Sequence, residues 1–97
     1  MSTSYAELVQ EHYDSILKLY RQYEDQRPVI LFDLQKAELF AYPYEGLLSQ
    51  LKMRSKISLH KQYQRAVENN YIVVFVKDSE NNNIVSFSLE IEDAADA

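Results

Sequence analysis

Residues Tyr71 to Val76, YIVVFV, are the most apolar run in the chain, and they restrict the fold more than any other stretch. On a strand, Tyr71, Val73 and Phe75 share one face, while Ile72, Val74 and Val76 share the other. Both faces are apolar, so the strand must be covered on both sides, as the centre of a sheet is. The residues that follow point the same way. Val85, Phe87, Leu89 and Ile91 alternate with Ser86, Ser88 and Glu90, which reads as a strand with one buried face, nearer an edge. The stretch Asp78–Asn83 between the two runs is a polar turn, with asparagine in the place glycine usually takes.

The remainder of the chain reads as what covers this hairpin. Ser4 and Glu7 form a capping-box pattern, and Tyr5, Leu8, Val9, Tyr13, Ile16, Leu17 and Tyr20 follow at helical spacing. One helix from about Tyr5 to Asp25, stopped before Pro28, is expected, with a length of roughly 30 Å. Val29–Phe32 and Glu38–Tyr42 flank a glycine-free bend at Asp33–Lys36, a hairpin with a loose loop. After Pro43 come Tyr44–Leu51 and a second helical pattern through Leu59, Tyr63, Ala66 and Val67, closed by Asn69 and Asn70. Their apolar stripes are out of phase, so one bent helix or two short helices are expected, with the break near Arg54–Ser58.

These elements give an α+β chain of the order α-ββ-α(α)-ββ. The expected arrangement is a four-stranded antiparallel sheet in a single domain over residues 1–92, followed by an acidic tail at 93–97. A length of 97 residues suits one modest core. If every helix lay on one face, the other would expose a large apolar patch. Either the helices divide between the faces or a second subunit covers the open one, and a homodimer is the expectation. Ile72, Val74 and Val76, with the aromatic residues Tyr20, Tyr23, Tyr42 and Tyr44, are the residues assigned to self-association. Tyrosine is common at such surfaces because it buries a ring while keeping a polar tip.

Composition narrows the function classes. Without cysteine, disulfides and cysteine-based metal sites are excluded. The single glycine excludes a glycine-rich phosphate loop. No serine lies in a nucleophile motif, the two histidines have no metal-ligand spacing, and the acid pairs look like helix-end or tail residues. No catalytic residue, metal ligand or cofactor is assigned, and the chain is read as a non-enzyme. No apolar run approaches membrane-spanning length, and the N-terminal stretch lacks the pattern of a signal peptide. A cytoplasmic protein without membrane contact is expected.

Charge supplies the last clue. The formal net charge is −5, yet Lys52, Arg54, Lys56, Lys61 and Arg65 fall in a stretch from Gly46 to Val67 that holds none of the fifteen acidic side chains. With Tyr63 among them, these cations form a candidate macromolecule-binding segment. The principal expectation is a small interaction or regulatory protein, a homodimer that binds another macromolecule, with an acidic protein as the partner. Nucleic acid bound through residues 52–65 is the alternative, and a small enzyme with an unrecognised site comes third.

Overall fold

The computed structural model describes residues 4–50, 57–78 and 83–91. The order of elements is α1 (Tyr5–Glu11), α2 (Tyr13–Gln22), a 3-10 turn (Glu24–Gln26), β1 (Val29–Asp33), β2 (Glu38–Tyr42), α3 (Tyr44–Gln50), α4 (Ile57–Asn69), β3 (Tyr71–Asp78) and β4 (Asn83–Glu90). The strands form one sheet in the order β2-β1-β3-β4. β3 is central and β4 is an edge, as the apolar patterning requires.

The sheet is mixed, not wholly antiparallel. Each hairpin is antiparallel, but β1 and β3 run parallel, with Ile30 opposite Val74 and Phe32 opposite Val76. The reason lies in the connection. A hairpin fixes the direction of its own two strands and leaves its direction relative to the other hairpin free. A link containing helices is long enough to return the chain beside β1 in the same direction.

The helices divide between the two faces. α1 and α2 supply Val9 and Ile16 to a core with Ile30, Phe32, Ile72, Val74, Val76, Leu89 and Ile91. On the opposite face, Tyr44, Leu47 and Leu48 of α3 with Leu59 and Ala66 of α4 pack on Val29, Leu31, Val73 and Phe75. One chain therefore covers both faces of β1 and β3. The open face that motivated a second subunit is filled by α1 and α2, and Val74 is 0% exposed beneath them.

The N-terminal helix is also not continuous. Ser4 caps α1, its Oγ accepting from the Glu7 amide at 3.2 Å. At His12 the backbone leaves helical geometry (φ −99°, ψ 16°), and its N–H is shared between the carbonyls of Leu8 and Val9. The His12 ring donates from Nδ1 to the Leu8 carbonyl at 2.8 Å and meets Phe32 edge-on at 4.7 Å. Because the Ile16 amide still bonds the His12 carbonyl, the apolar spacing passes through the break undisturbed. Periodicity alone therefore reads one helix where there are two. Farther along, Tyr5 donates its hydroxyl to Asp78, tying the start of α1 to the end of β3.

The β1–β2 loop is closed by a side chain instead of a glycine. Buried Asp33 accepts from the amides of Gln35 and Lys36 at 3.0 and 3.3 Å, and Ala37 completes the turn at φ 54°. α3 begins after Pro43, whose carbonyl accepts from the Leu47 amide. α3 is described over Tyr44–Gln50 and α4 over Ile57–Asn69, and the break expected near Arg54–Ser58 falls mainly on residues 51–56, which lie outside the described residues. Asn70 ends α4 in the left-handed region (φ 65°), as expected from the asparagine pair. The turn between β3 and β4 and the acidic tail at 93–97 also lie outside the described residues, apart from the turn's flanking positions.

A residue with a Cβ is strained at positive φ, and Ala37 has no polar side chain to compensate. Ala37→Gly is expected to stabilise the protein by about 1 kcal/mol in urea unfolding. An unchanged or lowered midpoint would contradict the turn geometry.

Candidate functional site

α4 is the element on which the sequence-derived binding residues fall. Its inward face carries Leu59 and Ala66 into the core, and its outer positions His60, Lys61, Gln64 and Arg65 are exposed. Its two flanks meet different surroundings and are held in different ways.

On the flank above β4, Gln62 uses both ends of its amide. Nε2 donates to Ser88 Oγ at 3.2 Å, and Oε1 accepts from Ser86 Oγ at 3.0 Å. This clasp pins the helix to the polar positions of the edge strand. Beside it, Lys61, Arg65 and Asn69 follow at four-residue spacing, which places them along one side of the helix. With Gln62, Tyr71 and Ser88 they line an open cleft of about 350 Å³. Among the described residues, no carboxylate is part of that lining. Among the described residues, the ion pair is Arg21 with Glu24 at 2.9 Å, and neither Lys61 nor Arg65 has an acidic partner. Tyr71, 37% exposed, presents an aromatic ring next to the two cations.

The opposite flank is a tyrosine cluster. The Tyr63 ring stacks on Tyr44 with centroids 4.3 Å apart and planes 5° from parallel. Its hydroxyl donates to the carbonyl of Arg27 at 2.7 Å, where the backbone is left-handed (φ 49°) ahead of buried Pro28. The Tyr44 hydroxyl is buried and has no hydrogen-bond partner among the described residues. Burial raises the Tyr44 pKa, with Tyr63 and then Glu45 adding to the effect. Burial likewise raises Tyr63, reinforced by Tyr20 and opposed by Arg27. Tyr20 is raised by burial and by Glu24, with Arg21 and Arg27 opposing. A second hollow of about 360 Å³ on this side is lined by Arg27, Tyr63, Gln64, Val67 and Glu68, so it carries both signs of charge.

The proposed binding segment therefore separates. Lys61 and Arg65 stand together in the cleft, whereas Tyr63 faces the other flank with one ring face and its hydroxyl already engaged. Lys52, Arg54 and Lys56 lie outside the described residues. The aromatic partner of the two cations is Tyr71, which the sequence reading placed only in the core. Its position at the first residue of β3, directly after the Asn70 turn, was the available signal.

The residues assigned to self-association also divide. Ile72, Val74 and Val76 are buried under α1 and α2. Tyr20 packs on that same core, while Tyr42 and Tyr44 belong to the core on the opposite face. Tyr23, at the end of α2, is 46% exposed. His12 and His60 sit on opposite faces of the sheet, His12 against Phe32 and His60 beside Tyr44. Among the described residues, no helix is long and apolar enough to cross a membrane. Comparison with models of known protein families gives no match, and neither do comparisons with curated proteins and with solved structures.

Two tyrosine substitutions of identical chemistry should act in opposite directions. Tyr63→Phe removes the bond to Arg27 and is expected to cost about 0.5–1 kcal/mol. Tyr44→Phe removes an unpaired buried hydroxyl and is expected to be neutral or stabilising by up to about 1 kcal/mol. Urea unfolding of both variants checks the pair, and equal losses would contradict the assignment.

The raised tyrosines also set an alkaline limit. Below the ordinary tyrosine value of 10.0, folded and unfolded chains both keep the phenol protons, so these groups leave stability unchanged. Above it the unfolded chain ionises first, and stability falls as pH rises. Urea midpoints measured from pH 8 to 11 should be level at first and then decline, with a shallower decline in Tyr20→Phe.

Proposed function

We propose that this protein is a small interaction module that recognises an acidic macromolecular partner through the flank of α4. The observation that carries this reading is the pairing of exposed Lys61 and Arg65 with Tyr71 in a cleft where, among the described residues, neither cation has an acidic partner and no carboxylate joins the lining, on a chain of net charge −5. Cations left unpaired on an acidic protein favour an acidic ligand and repel copies of the same surface. Tyrosine beside them offers a flat apolar contact with a polar tip, as interface aromatics do. A protein partner is preferred to nucleic acid because two described cations form a small phosphate-binding footprint and the remaining charge opposes a polyanion. The exposed ring of Tyr71 is what supports the nucleic-acid alternative, since a base stacks on such a ring. The proposal is one of recognition and assigns no catalytic step. It also works with a single copy of the chain, because both sheet faces are covered internally.

Fluorescence anisotropy with a labelled glutamate-rich peptide and with a labelled single-stranded oligonucleotide, both at low salt, tests the reading. The peptide is expected to bind, to weaken as salt is added, and to lose about tenfold or more in affinity with Lys61→Glu plus Arg65→Glu. The melting temperature of that double variant should stay close to the parent's, because both side chains are exposed. Tighter binding of the oligonucleotide would favour the nucleic-acid alternative. No binding of either probe would end the proposal.

A further inference from the structure

The partner's mode of attachment follows from the strand beneath the cleft. We propose that the outer edge of β4 accepts an extended acidic segment of the partner as a fifth strand. This inference rests on the acidic-partner reading above and specifies how such a partner is held.

The Ile91 amide donates to the Asn70 carbonyl at 3.3 Å, in register with the β3–β4 ladder that pairs Tyr71 with Glu90 and Asp78 with Asn83. Antiparallel pairs alternate between bonded and non-bonded positions. Val85, Phe87 and Leu89 therefore direct their N–H and C=O groups to β3. Ile84, Ser86, Ser88 and Glu90 direct theirs outward, and among the described residues no strand pairs with that edge.

The two edges of the sheet differ. Edge strands are ordinarily guarded by shortness, proline, lysine or a bulge. β2 spans Glu38–Tyr42 and is ended at once by Pro43. β4 spans Asn83–Glu90, contains neither proline nor lysine, and keeps its register with β3 from end to end without a bulge. Among the described residues it is the less guarded edge of the sheet.

Side chains then select the occupant. Ser86 and Ser88 lie on the α4 face, where the Gln62 clasp occupies their hydroxyls and Lys61 and Arg65 border Ser88. Val85 and Phe87 lie on the other face, half-buried against the α1–α2 core. A neighbouring strand would run about 4.8 Å beyond β4, within the span of a lysine or arginine side chain. Its alternate residues would be acidic towards α4 and apolar towards α1. Glu90, the register partner of Tyr71, sets the end at which an acid is unwelcome. A second copy of β4 fits less well. Antiparallel pairing about a two-fold axis would place both α4 helices on one face of the joined sheet, bringing Lys61 and Arg65 of each copy towards those of the other.

A displayed library of random ten-residue peptides, selected on the full chain, tests both layers. Selected peptides are expected to alternate acidic and apolar residues. They should lose binding at least tenfold more with Ser88→Pro, which removes an outward N–H together with the hydroxyl, than with Ser88→Ala, which removes the hydroxyl alone. In the wild-type complex, nuclear Overhauser contacts should join peptide α-protons to the Ser88 amide, which keeps the test valid if Ser88→Pro does not fold. Acidic binders that need Lys61 and Arg65 but show neither the proline effect nor those contacts would overturn strand addition and leave the acidic-partner reading standing. Binders without acidic residues, or no binders, would overturn both. A wild-type protein that is dimeric in light scattering and monomeric as Ser88→Pro would assign the edge to a second copy and overturn the proposal.

Discussion

β3 cannot tolerate water on either side. Its residues Ile72 to Val76 are all buried, alternating between two cores that share no side chain. Burying each such residue stabilises the fold by about 1.5–3 kcal/mol. That demand decides where everything else goes. A hairpin places β4 on one side of β3, and the parallel contact with β1 closes the other. α1–α2 and α3–α4 then have to divide between the faces. The three-layer arrangement is the one-chain solution to a doubly apolar strand, and it removes the need for a second subunit to provide cover.

The same arrangement makes α4 both structural and available for binding. Leu59 and Ala66 anchor it from below, the Tyr63–Arg27 bond and the Tyr44 stack hold one flank, and the Gln62 clasp holds the other. A helix fixed at both flanks presents Lys61 and Arg65 from a defined position over β4. Ordering costs that a mobile surface would meet on binding are thereby reduced. Acids are absent from Gly46 to Val67, the stretch that supplies Lys61, Gln62 and Arg65 to the cleft, while Asn69, Tyr71 and Ser88 complete its described lining.

Patterning made the central and edge roles of β3 and β4 legible, together with both hairpins, the Ser4 cap and the Asn70 close. Each depends on residues adjacent in sequence or on one strand's alternation. Three features were hidden for physical reasons. The break at His12 leaves helical phase intact, so the spacing of Val9 and Ile16 carries no trace of it. The parallel pairing of β1 with β3 is a property of a long connection and not of either strand. The separation of Tyr63 from Lys61 and Arg65 depends on which flank of α4 turns to β4, and that is set by Gln62 meeting Ser86 and Ser88, residues 24 and 26 positions away. Of the candidate site, the cations at 61 and 65 were readable from charge alone. Their aromatic neighbour Tyr71 was not, because strand alternation assigns it to the core face without saying that it lies at the rim.

Amide hydrogen exchange along β4 of the uncomplexed protein addresses the central claim directly, that one chain covers the sheet's faces and leaves this edge open. The structure predicts alternation, with slow exchange at Val85, Phe87 and Leu89 and fast exchange at Ile84, Ser86, Ser88 and Glu90, beside uniform protection through Ile72–Val76. Uniform slow exchange along β4 would mean that the edge is already paired. Fast exchange through β3 would mean that it is not the covered centre of the sheet.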